Sequence, residues 1–300
     1  MTGSTIHAPT SLEGHAEPSI LSYSRALLSD AKEKKKTYWY TEASAAVLSV
    51  VGSFLPWPRA AAVAGIFTVT AKVLGKFVLS SSRKAFRLGE RARRYDFFYK
   101  TMGWSVPPAD RADMVIAQSS SRIRAAAAKL ATMEADYYAH KGEPSTERLL
   151  CNLCESMFWT ERLMGYMSKA RWGHFSISLA VLIAVLVGAL VVDLGSAALI
   201  MFKVVMSVVT LLVAIDILGE ARAFERGERE SGNLLRAVVA EMHRSPLSRD
   251  EAMRLMVEYN CLLADLPLLP DSIYARHTNL LNKAWSEFSA SLPIQCNAPG

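Results

Sequence analysis

Two apolar runs separated by four residues constrain this chain more than any other feature. Residues 175–192 (FSISLAVLIAVLVGALVV) carry no charge, and residues 197–215 (AALIMFKVVMSVVTLLVAI) carry only Lys203. A bilayer core of ~30 Å takes ~20 apolar residues of helix, and buried helices of water-soluble proteins usually stop well short of that. Between the runs, DLGS supplies Gly195 as a helix breaker and Asp193 and Ser196 as capping residues. The stretch reads as a membrane hairpin with Asp193 at its tip, in headgroups or water. Lys203 falls about two turns below the tip, where its long stem can snorkel upward.

A weaker pair of runs precedes it. Residues 43–57 (ASAAVLSVVGSFLPW) are uncharged but rich in Ala, Ser and Gly, and residues 60–79 (AAAVAGIFTVTAKVLGKFVL) contain Lys72 and Lys76. PWPR breaks the two apart. By hydropathy alone a soluble helix pair also fits, but small residues let helix backbones approach closely inside membranes. Charge placement favours spanning. Lys32, Lys34, Lys35 and Lys36 precede the first run, and Arg83, Lys84, Arg87, Arg91, Arg93 and Arg94 follow the second. Lys169 and Arg171 precede the third, and Arg222, Arg226 and Arg229 follow the fourth, whereas the tips hold only Arg59 and Asp193. The positive-inside rule puts every basic flank, and both termini, in the cytoplasm.

The sequence therefore predicts an all-α membrane protein with two transmembrane hairpins, hence four crossings, and a helical cytoplasmic domain. Its parts are a flexible tail (1–20), a basic cytoplasmic helix (21–38), the first hairpin (39–80), a helical insert (81–172), the second hairpin (173–219) and C-terminal helices (220–300). In the insert, Ile123, Ala127, Leu130, Met133 and Tyr137 recur at helical spacing, as do Leu150, Cys154, Met157, Glu161 and Met164, with HKGEPST as a turn between. The second pattern can run straight into the third crossing. Ser248 and Glu251 form a capping box, and Asp271 is the expected cap of a last helix through Leu281, Trp285 and Phe288. Hydrophobic residues make up 51% of the 300, which excludes a disordered chain. No charged start followed by an apolar core opens the chain, so no cleavable signal peptide is expected.

Motifs of catalysis are missing. The six histidines sit in unrelated contexts, with no HExxH, glycine-rich phosphate loop or GxSxG. The expectation is a protein that is not an enzyme and carries neither metal nor cofactor. Cys151, Cys154, Cys261 and Cys296 are too few and scattered for a disulfide framework, and are expected to be reduced structural thiols.

Charged residues in or beside the crossings are the remaining signal, because ionisable groups in a bilayer are costly. Counted back from the tips at ~1.5 Å per residue, Lys76, Glu42 and Asp216 fall at similar depth near the cytoplasmic boundary. Glu42, Lys72, Lys76, Lys203 and Asp216 are the candidate pore or gate residues, against simple anchoring by snorkelling and pairing. The six basic residues of 83–94 would attract anionic lipid at about 1 kcal/mol each. Alternatively, Arg83, Lys84, Arg87, Arg91, Arg93 and Arg94 grip a phosphorylated ligand, with Tyr95 or Trp104 stacking on a base. A polymeric nucleic acid is not expected, since the basic residues hug the membrane instead of forming a separate face.

Three stretches carry a resemblance. ERARRYDFFYKTMGW (Asp96, Phe97, Gly103, Trp104), DYYAHKGEPSTERLLCNLCESMFWTERL (Tyr137, Tyr138, Cys154, Trp159, Glu161, Leu163) and LADLPLLPDSIYARHTNLLNKAW (Pro267, Pro270, Asp271, Ile273, Tyr274, Leu281, Asn282, Trp285) resemble the SMODS-associated four-transmembrane effectors. The similarity runs over about residues 20–290, with Gly103 where the family pattern has proline. The resemblance implies a pore-forming effector of a bacterial anti-phage system, encoded beside a nucleotide second-messenger synthase. It implies a multi-pass inner-membrane location, homo-oligomers and a cyclic di- or oligonucleotide signal. A small-solute channel or transporter subunit, or a non-conducting scaffold, is the other reading of the same layout.

Overall fold

A computed structural model describes residues 19–54, 58–104, 115, 116, 118–131, 140, 143–191, 217–294 and 296. These residues form seven helices and no strands: α1 (Ile20–Phe54), α2 (Pro58–Met102), α3 (Ser121–Ala131), α4 (Thr146–Val191), α5 (Ile217–Met242), α6 (Arg249–Asp265) and α7 (Asp271–Ala290). Residues 1–18 of the predicted tail, Met133, Tyr137, Tyr138, Asp193, Gly195, Lys203 and Asp216 lie outside the described residues.

Long helices replace the short segments expected. The basic helix and the first apolar run are one helix, α1, and the second run continues through its arginines to Met102 as α2. Helix α4 carries the insert's second pattern straight into the third run, as the sequence reading allowed. No proline falls in these joints, so nothing forces a helix to end there. The break comes at Gly103, whose φ of +68° is left-handed and whose N–H bonds Tyr99 O at 3.0 Å. Proline is held near −65° and could not take that conformation here.

Helices α1 and α2 pack antiparallel through small and hydroxylated residues. Ser24 Oγ donates to Gly89 O at 2.9 Å and Ser82 Oγ to Ala31 O at 2.7 Å, both buried. At Gly89 a Cβ would come within 2.9 Å of the Leu28 side chain, so glycine is what permits this approach. The main core lies elsewhere, between the first half of α4 and α5, α6 and α7. Phe158, Phe224, Leu149, Leu255, Met256 and Leu281 are among its fully enclosed side chains. Helix α3 adds Ile123 and Ala127 to a small cluster with Tyr23, Ala26 and Leu27.

Two expected caps differ. Ser248 Oγ accepts from Glu251 N at 3.2 Å as a capping box requires, but the reciprocal carboxylate is Glu241, whose Oε1 accepts from Ser248 N at 2.9 Å. Glu251 turns instead to Arg254, which holds its carboxyl below the usual range. The N-cap of α7 is Pro270 with no side-chain cap bond, and Asp271 is the first helical residue, where its charge still favours the helix N-terminus.

Outside the core the surface is apolar in one region. The Ala62–Met102 part of α2 is long and apolar enough to cross a membrane, with a mean hydropathy of 1.7 in its most apolar section, nearly all of it exposed. Ile66 (67%) and Phe77 (70%) are bare there, and so are Val47 and Val51 of α1 and Ile177 (65%), Val181 and Ile183 of α4. Among the described residues α2 is the one helix that meets the length and composition required. This points to a membrane location.

Candidate ligand cleft and boundary charges

The predicted arginine cluster is divided by the turn of α2. Arg83, Lys84 and Arg87 are exposed next to the apolar region, whereas Arg91, Arg93, Arg94 and Tyr95 are half-buried further along. Trp104 stacks on Phe98 with centroids 5.5 Å apart, and the Arg249 guanidinium lies 5.8 Å from its ring centre. Its ring is therefore already engaged on the Phe98 side.

Arg93 is the residue of this set that borders the recess between α4 and α7. Its Nη2 donates to the buried Glu90 carboxylate at 2.9 Å, which orients the guanidinium. From there it borders a recess of about 280 Å³ whose walls are Glu155, Ser156, Trp159, Thr160 and Leu163 of α4 and Tyr274, Thr278 and Asn282 of α7. A second recess of about 130 Å³ shares Arg93, Thr160 and Tyr274 and reaches Arg25 and Lys32 of α1. Together they fall at the lower end of the ~300–1,000 Å³ typical of small-molecule sites. Lys32 crosses the mouth, paired with the Asp271 carboxylate and 5.4 Å from the Tyr274 ring centre. The α4 wall is held by Tyr259, whose hydroxyl donates to Ser156 O at 3.0 Å and lies 2.7 Å from Thr160 Oγ1.

Three separate helices contribute to this cleft: Arg93 from α2, Trp159 from α4, Tyr274 and Asn282 from α7. Sequence reasoning singled out Arg93, but missed Arg25, Lys32, Trp159, Tyr274 and Asn282 as parts of a site. No spacing within one stretch could have found them, because Arg93, Trp159 and Tyr274 stand on three different helices. Cations, hydroxyls, a carboxamide, the half-buried Trp159 ring and the exposed Tyr274 ring suit a phosphorylated ligand with a planar ring, with the Glu155 carboxylate also on the α4 wall.

The boundary charges form a separate cluster. Glu42 is buried (7% exposed) beside Gly75, where an added Cβ would lie 3.2 Å from its Oε1 and 3.4 Å from the Tyr38 ring. Glu42 is thus level with Lys76, as the depth count expected, while Lys76 is exposed and Lys72 half-buried. An acid that the sequence reading passed over joins the two long-helix pairs. The Glu220 carboxylate forms ion pairs with Lys35 Nζ at 3.1 Å and with the Arg171 guanidinium at 3.0 Å, and Arg171 also sits 5.7 Å from the Trp39 ring centre. One residue along, Trp172 Nε1 donates to Glu225 at 3.3 Å.

The cysteines correct another expectation. Cys151 and Cys296 form a disulfide that spans 145 residues, leaving Cys154 as a buried thiol and Cys261 as an exposed one. Burial, with Glu155 nearby, pushes the Cys154 thiol up to about 12. Spacing on one strand of sequence could not reveal a pairing made by the return of the C-terminal segment over α4. Comparison with known protein families, curated proteins and solved structures returned no match for this chain.

Proposed function

We propose that this chain is a membrane effector of a bacterial anti-phage signalling system, which oligomerises to breach the inner membrane when its helical body reads a cyclic di- or oligonucleotide. The observation that carries the reading is the arrangement at the boundary. Lys35 and Trp39, Arg171 and Trp172, and Glu220 and Glu225 meet just where the apolar parts of both long-helix pairs begin. On one side of this contact lie bare Val, Ile, Leu and Phe side chains, and on the other a closed core. Water would penalise such a surface at about 25 cal/mol per Å² of apolar area, and a bilayer would not. Trp and Tyr with basic residues at that level are the usual furnishing of a membrane interface.

The antiparallel register supports a second hairpin as well. Gly165 lies against Glu228 and Gly232 against Glu161, so the number midway between partners is about 196, close to the sequence-predicted tip. With the first hairpin turning near Pro58, four crossings and both termini in the cytoplasm follow from the positive-inside rule. Lys72, Lys76 and Glu42, with Lys203 and Asp216, are the groups proposed to line or gate the pore. The exposed Arg83, Lys84 and Arg87 serve anionic lipid, and the cleft around Arg93 serves the nucleotide. No catalytic step is assigned to the chain.

Topology is the first experiment. Alkaline-phosphatase fusions made after Pro58 and after Gly195 in intact bacteria should both be active, and a fusion at the C-terminus inactive. An inactive fusion at Pro58 would remove the first hairpin from the membrane and with it the four-crossing account.

A further inference from the structure

Two helices face each other across the cleft, and a covalent bond ties the same two together. Helix α4 supplies Ser156, Trp159, Thr160 and Leu163 to one wall, and α7 supplies Tyr274, Thr278 and Asn282 to the other. Cys151 lies on α4 five residues before Ser156, about 7.5 Å along the axis, and its partner Cys296 stands six residues beyond the end of α7. Leu292 and Ile294 pack against the core on the way back, and Cys296 itself is buried. The bond thus closes the α4–α7 unit at the end where α7 would otherwise be held by a short non-helical segment.

We propose that Cys151 and Cys296 are a redox modification site: a clamp across the cleft walls, closed by a low-molecular-weight disulfide of the oxidised-glutathione class and opened by the corresponding thiol. In closing, the thiolate of one cysteine attacks the small disulfide, forms a mixed disulfide and expels one small thiolate. The thiolate of the second cysteine then attacks the protein sulfur of that mixed disulfide and expels the other. Two protein thiols lose two protons and two electrons, and the small disulfide takes them up as two thiols. The compartment rests on the topology proposed above, because a disulfide in a reducing compartment is characteristically a transient or sensing one. The clamp geometry does not rest on it.

Two features suit the bond to switching rather than permanent stapling. Residues 291–294 of the covering segment are non-helical with Ser291 and Pro293 exposed, so without the bond only Leu292, Ile294 and Cys296, among the described residues, hold it to the core. Cys154 stands one turn from Cys151 on the same helix, yet it is fully buried and its thiol is held far above neutral pH, so little thiolate is present to attack the bond from within. Opening therefore answers to a thiol from outside.

The test uses the full chain in lipid nanodiscs, equilibrated over a series of reduced-to-oxidised glutathione ratios, quenched in acid and alkylated. Mass spectrometry of the linked 151–296 peptide should show one two-electron transition within the series. Hydrogen exchange in α7 and residues 291–294 should rise at least ~10-fold on reduction, with the α1–α2 pair unchanged. Cys296→Ser should give the fast-exchange pattern at every ratio, and Cys154→Ser should leave the transition where it is. A bond that persists at every ratio, or one that reduces without loosening α7, overturns the proposal, as does loss of the transition in Cys154→Ser. These readouts do not depend on whether a pore forms, so they stand or fall apart from the effector reading.

Discussion

Replacing Phe158 by Ala is expected to cost about 3–5 kcal/mol of the stability of the helical body, the range for emptying an aromatic site in a close-packed core. Phe158 is 2% exposed, stacked on Phe288 at 5.3 Å and tilted against Trp285 at 5.4 Å, with the Arg162 guanidinium 5.5 Å away on its ring. Few neighbours can move in, because Trp285 and Phe288 are themselves in contact at 5.9 Å and α4 is fixed by its packing on α5. Denaturant unfolding in mild detergent, followed by near-ultraviolet circular dichroism, measures the loss. Phe158→Leu, which retains most of the apolar volume, should lose less than half as much. A loss below ~1 kcal/mol for Phe158→Ala would mean that this aromatic cluster is not the centre of the core.

The second large effect concerns Arg93. Arg93→Lys keeps the positive charge facing Glu90 but removes the planar fork that can hold two phosphate oxygens at once. A hydrogen bond to a charged group contributes about 1.5–3 kcal/mol, so the nucleotide concentration for half-maximal response should rise roughly 10- to 100-fold. The same exchange at Arg83 and Arg87 should leave that concentration unchanged, since both point away from the cleft and need only charge to meet lipid. Membrane-potential loss in cells expressing a nucleotide synthase, with matched protein levels, gives the readout. Equal sensitivity of all three variants to wild type would remove the cleft as the nucleotide site.

Helix content was legible because the apolar periodicity, the absence of alternating strands and the Ser248–Glu251 signature are local signals. The fusion of segments into α1, α2 and α4 was legible in part: the continuation of the 150–164 pattern into the third run could be read, whereas the joint at Tyr38–Glu42 could not. Nothing there stops a helix, so the change from charged to apolar composition marks an environment and not an end. The cleft was out of reach for another reason. Arg93, Trp159 and Tyr274 are far apart in the chain, and their meeting depends on how α2, α4 and α7 pack, which no spacing rule encodes. Glu220 was missed because it follows the last apolar run like an ordinary first-turn acid, and its partners Lys35 and Arg171 lie on two other helices.

Current through a membrane is what the effector reading finally requires. Purified wild-type chain in planar lipid bilayers, examined with a panel of cyclic di- and trinucleotides, should show discrete conductance steps whose open fraction changes with one of them. Asp216→Asn and Asp216→Glu recorded beside it would show whether that boundary charge belongs to the gate, the first changing the open fraction and the second changing it less. Chain that is inserted with the proposed topology yet passes no current, with any nucleotide or without one, would contradict the account and leave a non-conducting membrane scaffold.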